Sequence, residues 1–297
     1  MKSANGPWRR LSAKLLGTLA LLLALPQAPQ ARETIQWIVI DFPPFMIRSG
    51  PHLGSGSMDG LLDFLIPRLP EYDHELTTVS IARREAELKN PSRYLCTSSL
   101  YRTPEREKLV VFSIPALIHL HNRLVFLSEK ADSFSNGQAI DLESLLKRRE
   151  LFGGFISLRS YAPNIDPIVA QYAKMPNVVH RPLTAMQMFD LLAKREIDYT
   201  ILFPHEAVFL AKLRGFKESF VIRPIAGTIP YTLTQVACVK GAPGEEVIAR
   251  VNRILQEQRQ SQEYRQLSER WYNEEDKVLI RKYYQNLLDA TPPPGSP

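Results

Sequence analysis

The sequence predicts an α/β protein, and three observations lead there. Short runs rich in β-branched and apolar residues, among them Ile35 to Ile40, Leu151 to Ile156 and Tyr231 to Val239, alternate with segments whose apolar residues recur at helical spacing. The stretch from Leu151 to Phe203 reads strand, helix, strand, the unit that builds a parallel sheet through a right-handed crossover. About 265 residues follow an N-terminal leader, ample for two lobes of ordinary size.

Lys2, Arg9, Arg10 and Lys14 precede an apolar run from Leu15 to Leu25, which Pro26 and the small residues around Ala28 and Ala31 close. That is the pattern of a cleaved secretory signal over residues 1–31, and the run is short for a transmembrane helix. No cysteine lies near the cleavage region, so a lipid anchor is not expected. The formal net charge is +6, and loss of the leader's four basic residues leaves about +2, a balance that argues against nucleic acid as a partner. Two cysteines, Cys96 and Cys238, each sit in a run that reads as extended. Export permits a disulfide between them, with two buried free thiols as the alternative.

Taken in order, Ile35 to Ile40 is a buried-strand pattern that runs into Asp41-Phe42-Pro43-Pro44-Phe45. The prolines stop the strand and hold Phe42 and Phe45 at its carboxyl end, where open α/β sheets bind ligands. Phe45 is thus a candidate ligand contact, with a core position as the alternative. Pro51 to Ser57 is rich in glycine and serine but lacks the G-x-x-x-x-G-K pattern of a phosphate cradle. Met58 to Leu69 reads as an amphipathic helix, Leu76 to Ile81 as a strand, Ala82 to Lys89 as a helix and Tyr94 to Thr97 as a strand.

The stretch from Tyr94 to Pro115 carries the densest chemistry. Arg106 follows a turn at Thr103-Pro104, with Ser98, Ser99 and Thr103 nearby. A planar fork of donors beside hydroxyls is what a carboxylate needs, although a solvated surface turn would carry the same residues. Ala116 to Leu127 then reads as extended, with His119 and His121 on one face. Two histidines without a third ligand do not make a metal site, so no metal or cofactor is expected.

Beyond a polar loop at Ser128 to Gln138, Asp141 to Arg149 is a short helix and Leu151 to Ile156 a strand. Ser160 and Tyr161 stand in a turn before a helix through Ile168, Val169 and Tyr172, a place where backbone N–H groups and a hydroxyl can face an anion or only cap the helix. Thr184 and Gln187 have capping-box spacing ahead of Met188, Leu191 and Leu192, and Glu196 to Phe203 reads as a helix end plus a strand. After the strand at Tyr231 to Val239, Val247, Ile248, Val251, Ile254 and Leu255 form the clearest amphipathic stripe. Tyr264, Leu267 and Trp271 mark a second helix, Lys277 to Leu288 a third, and residues 291–297 a proline-rich disordered tail.

The order T-P-E-R at 103–106, F-S-x-P at 112–115, K-G-x-P at 240–243 and E-x-W-Y at 269–272 resembles the bacterial extracellular solute-binding proteins of family 3, periplasmic receptors for amino acids and similar small molecules. The likeness runs from about Ile35 to Tyr272. It implies a two-lobe periplasmic binding protein type 2 fold with two hinge crossings, near Leu120 and Thr234. Lobe I would be 32–120 with 235–290, and lobe II 121–234. By the resemblance, Arg106 with Thr103 and Ser98 grips a ligand carboxylate, Phe45 lies beside the ligand, and Ser160 and Tyr161 form a second clamp, with Arg159 where relatives carry glycine. Phe203 stands where the family places an aspartate for the ligand's ammonium, and Glu206 is the nearest acid. The implied function is that of a monomeric periplasmic receptor, not an enzyme. It would capture a small carboxylate-bearing, amino-acid-like ligand for the permease of an ABC transporter. A sensing module of the same fold, or less readily a dehydratase-like enzyme, is the alternative.

Overall fold

The computed structural model describes residues 1, 32–90, 94–134, 139–157 and 159–290; the expected leader, Met1 aside, and the expected tail lie outside them. Along the first part of the chain come β1 (Thr34–Val39), α1 (Ser57–Leu65), β2 (Asp73–Thr78), α2 (Ile81–Glu87), β3 (Leu95–Leu100), α3 (Pro104–Glu107) and β4 (Val110–Leu120). The middle part holds β5 (Arg123–Leu127), α4 (Leu142–Leu146), β6 (Gly153–Ile156), α5 (Asp166–Tyr172), β7 (Val178–Arg181), α6 (Ala185–Ala193), β8 (Tyr199–Leu202), α7 (Pro204–Leu213) and β9 (Phe220–Arg223). The last part returns with β10 (Tyr231–Val239), α8 (Ala242–Gln258), α9 (Gln262–Glu269) and α10 (Glu274–Asp289).

Two sheets result, in the orders β2-β1-β3-β10-β4 and β7-β6-β8-β5-β9. In each, three parallel strands are joined by one antiparallel strand that also pairs antiparallel with an edge strand: β10 beside β3 and β4, β5 beside β8 and β9. The chain passes from the first sheet to the second between Leu120 and Arg123, and comes back between Arg223 and Tyr231. Two crossings therefore connect the two sheets.

The F-S-x-P segment explains how β4 survives a proline in mid-strand. Pro115 has no N–H to give the ladder, and the β4–β10 register slips beside it. Side chains take up the freed groups: Ser113 Oγ accepts from Val236 N at 3.0 Å, and Asn252 Oδ1 accepts from Ile114 N at 2.8 Å. Arg259 donates to the Pro115 carbonyl at 3.0 Å and the Tyr264 hydroxyl to the Ala116 carbonyl at 2.8 Å. Ser113 lies on β4 itself; the other three partners lie on α8, at its C-terminal end and on α9, which clasp β4 against the core. Val247, Ile248, Val251 and Leu255 bury in one cluster with Trp37, Leu61, Ile114 and Val236, as the stripe on α8 requires. Gly241 opens α8 at a φ of 138°, a conformation that side chains disfavour, and a Cβ on Gly244 would lie 2.0 Å from the Val239 carbonyl oxygen.

Some elements differ from expectation. The strand expected at Leu76 to Ile81 is β2, three residues earlier. It is an exposed edge that follows β1 in parallel from Thr34–Asp73 to Val39–Thr78. Ile81 instead opens α2, because Ser80 Oγ caps the helix by accepting from Arg83 N. The strand expected to end at Thr97 continues to Leu100, so Ser98 and Ser99 are strand residues. No stripe announced α7, since it is buried almost all round. The four-residue strands β7 and β9 are half-buried and carry no clean alternation. Cys96 and Cys238 face each other across β3 and β10 and form a disulfide.

Candidate functional site

Arg106 reaches its position through α3. Thr103 accepts from Arg106 N at 3.3 Å and caps this single helical turn, which swings the guanidinium back toward β3. One terminal nitrogen donates to the Tyr101 carbonyl at 3.0 Å and the other to Glu85 Oε1 at 3.0 Å. Arg84, buried on α2, donates to that same carboxylate oxygen at 2.8 Å. Burial raises the Glu85 pKa, but the Arg84 hydrogen bond and the charges of both guanidiniums outweigh it and bring it below the usual carboxylate value. Two cations thus share one anion.

They line a cavity of about 170 Å³. Ser98, Ser99 and Thr234 add hydroxyls to its wall, and Phe42, Phe45, Met46, Met58 and Ile81 make the rest apolar. Three polar atoms of these lining residues are buried without a partner: Arg84 Nε, Ser99 Oγ and Thr234 Oγ1. Each can donate, and a buried donor left unpaired costs about 1 to 3 kcal/mol.

Tyr101 also borders a second cavity, of about 480 Å³, between the two sheets. Its wall includes Asn122, Ser160, Tyr161, Phe203 and Gln235. The turn at Ser160 and Tyr161 does face an anion, but that anion belongs to the chain. The Ser160 hydroxyl and the backbone N–H groups of Tyr161 and Ala162 all donate to the Asp166 carboxylate. The Tyr161 hydroxyl accepts from Ile156 N at 2.7 Å, and its carbonyl accepts from Asn122 at 2.8 Å.

Glu206 and Arg159 form a bidentate pair at 2.9 and 2.7 Å, and Arg159 also donates to Asn122 at 3.1 Å. Their side chains are only 2 % and 12 % exposed. Burial works against the Arg159 charge and Glu206 more than restores it. The second role of Glu206 is to accept from Phe203 N at the start of α7. Removing one partner of such a pair strands the other charge, so Glu206→Leu is expected to lose about 3 kcal/mol of stability. Arg159→Met combined with Glu206→Leu should recover most of that loss, as read by denaturant unfolding.

Phe45 joins the two sheets. Its ring stacks on Phe42 at 5.3 Å and meets Phe203 at 5.0 Å, His205 at 4.3 Å and His119 at 4.9 Å. His119 and His205 are fully buried, with no hydrogen-bond partner on any ring nitrogen.

Of the residues singled out by sequence, Ser98, Phe45 and Arg106 thus surround one cavity, while Ser160, Tyr161 and Phe203 surround the other. Thr103 and Glu206 line neither: the first positions Arg106, and the second holds Arg159. Arg84, Tyr101 and the histidine pair were not legible. Arg84 reads as one charge among several on an exposed helix, and the histidines meet only through the fold. Among the described residues no group of three His, Cys, Asp or Glu side chains is placed to hold a metal ion, and no helix is long and apolar enough to cross a membrane.

A family model described as bacterial extracellular solute-binding proteins, family 3, matches residues 38–274. No curated protein sequence matches the chain. Among solved structures, an ancestral cationic amino acid solute-binding protein is similar, with a TM-score of 0.61 at 18 % identity over 81 % of this chain and 96 % of that one. The periplasmic VFT2 domain of BvgS from Bordetella pertussis is similar as well, with a TM-score of 0.55 at 17 % identity over 80 % and 93 %. A histidine kinase sensor domain with similarity to periplasmic binding proteins gives 0.56 at 16 % identity over 82 % and 96 %. At these identities the likeness is one of fold, the two-lobe periplasmic binding fold.

Proposed function

The chain belongs to the bacterial extracellular solute-binding proteins of family 3, and from that premise we propose that it captures a small carboxylate-bearing ligand at the Arg106 cavity. The observation that carries this reading is the sharing of Glu85 Oε1 by Arg84 and Arg106, which leaves one positive charge in excess beside a hydroxyl-bearing wall. A carboxylate entering there would neutralise that charge. It would also give acceptors to Ser99, Thr234 and the Nε of Arg84. The Thr103 cap and the Tyr101 carbonyl fix the guanidinium fork before the ligand arrives, which lowers the ordering cost of binding.

We take 32–120 with 235–290 as one lobe and 121–234 as the other. The leader exports the protein to the periplasm, where it acts as a monomeric receptor rather than an enzyme. Closure of the lobes over the ligand then shifts an open and closed equilibrium that a membrane permease reads. A second reading, a sensing module, draws support from the aromatic seam at Phe45, Phe203 and His205, which holds the lobes together through the chain's own side chains. A permease gene beside this one favours transport; a kinase gene favours sensing.

The test is a thermal-shift screen of small mono- and dicarboxylates. Arg106→Ala is expected to abolish the shift given by any carboxylate hit and to leave the melting point of the free protein nearly unchanged, because the Arg106–Glu85 pair is partly exposed and worth about 1 kcal/mol or less. An unaltered shift in that variant removes Arg106 from the site.

A further inference from the structure

Resting on the carboxylate reading just given, we propose that the ligand is an apolar carboxylate without an ammonium group, so that the protein prefers 2-oxo and unsubstituted carboxylic acids to the amino acids of the same skeleton.

Among the described residues no Asp or Glu lines the Arg106 cavity or the cavity that adjoins it at Tyr101. An ammonium group taken out of water needs a carboxylate or a set of acceptors, and the chain's own donors have already engaged each nearby acid. Glu85 is held by two guanidiniums on one oxygen. Glu206 gives both oxygens to Arg159 and one of them also to Phe203 N. Asp166 accepts from Ser160, Tyr161 and Ala162, and it borders a different cavity, beside Arg159 and His180. Glu206 and Asp166 could serve a ligand only by sharing oxygens that already hold the chain's own donors, and Glu85 already balances two guanidiniums.

The charge balance points the same way. Arg84, Arg106 and Glu85 together carry a net charge of +1, and Arg159 with Glu206 carries none. An α-ammonium sits two bonds from its carboxylate carbon. A carboxylate docked on Arg106 would therefore use up that single excess charge, and the ammonium would add a cation beside Arg84 and Arg106, whose one anion, Glu85, is already shared between them. The rest of the ligand meets Phe42, Met46, Met58 and Ile81, an apolar wall that rewards a hydrocarbon skeleton.

Isothermal titration of the purified protein with matched probes tests this. The acids are 4-methyl-2-oxopentanoate, 4-methylpentanoate, phenylpyruvate and 3-phenylpropanoate; their counterparts are leucine and phenylalanine, with 3-methylbutylamine as a cation lacking the carboxylate. The expected result is that at least one acid binds at least tenfold more tightly than the amino acid of its skeleton, and that the amine does not bind. An amino acid binding as tightly as its acid or more tightly would overturn this inference and leave the carboxylate reading standing. Binding of the amine at the affinity of the acids, or no binding by any carboxylate, would overturn both.

Discussion

Replacing Cys96 and Cys238 together by alanine is expected to lower stability by about 5 kcal/mol, with a fall in melting temperature of roughly 10 to 20 °C. The two residues are separated by 142 positions, and the bridge ties β3 to the strand that returns from the second sheet. Everything from β4 to β9 lies inside the covalent loop. In the reduced unfolded chain that whole excursion is free to wander, and chain-entropy bookkeeping for a loop of this length gives about 5 kcal/mol. Both side chains are fully buried among Trp37, Leu61 and Val236, so the variant also leaves a packing defect there. Guanidinium unfolding of the double variant against the oxidised protein measures the effect. A difference below 1 kcal/mol would show that the bridge constrains little, and that the register of β3, β10 and β4 is held by its hydrogen bonds alone. Carboxylate binding at the Arg106 cavity should survive the change, since neither sulfur borders it.

The turn that presents Arg106 could be read from sequence because local chemistry fixes it. Thr103-Pro104 pairs a cap with a residue preset for the first helical turn, whereas the C-terminal ends of β2 and β3 each lie three residues from where the sequence placed them. The stripe on α8 and the capping box of Thr184 and Gln187 are local in the same sense. What could not be read depends on long-range placement. Arg159 and Glu206 are 47 positions apart and become partners only when β6 and β8 lie side by side. The anion that Ser160 and Tyr161 face is six positions from Ser160, yet the turn reads equally well as a ligand clamp until Asp166 is seen to fold back on it. Phe45 was open between core and ligand contact, and it does border the cavity while remaining buried. Its place at the seam is set by Phe203 and His205 from the second sheet.

Acid should loosen this seam. Burial pushes the His119 pKa down to about 3, and burial, then the neighbouring His119 and then Arg159 hold His205 well below its ordinary value. Both imidazoles are therefore neutral in the folded protein at pH 7. In the unfolded chain each takes a proton near pH 6.5. Between that value and each ring's depressed folded-state pKa the unfolded state binds more protons, so stability falls as the pH falls, by up to about 1.4 kcal/mol per unit for each ring. From pH 7 to pH 4.5 His119 alone accounts for a loss on the order of 3 kcal/mol, and His205 adds to it in the same direction. The groups around the rings do not relieve it: Phe45 and Tyr272 offer no negative charge, and Glu206 is bound to Arg159. Asp276 on α10, beside Arg123, works in the opposite direction. Burial raises its pKa to about 6, so protonation favours the folded state as the pH drops from 6 toward 4, which offsets about 2 kcal/mol of the loss. His119→Leu with His205→Leu removes the titrating pair at similar volume and leaves Asp276 in place. The difference in stability change between the wild type and this double variant, taken from urea unfolding at pH 7 and pH 4.5, is expected to be about 3 kcal/mol or more. Parallel pH profiles for the two proteins would show that the rings are protonated without strain, and that the seam opens to water more readily than their burial implies.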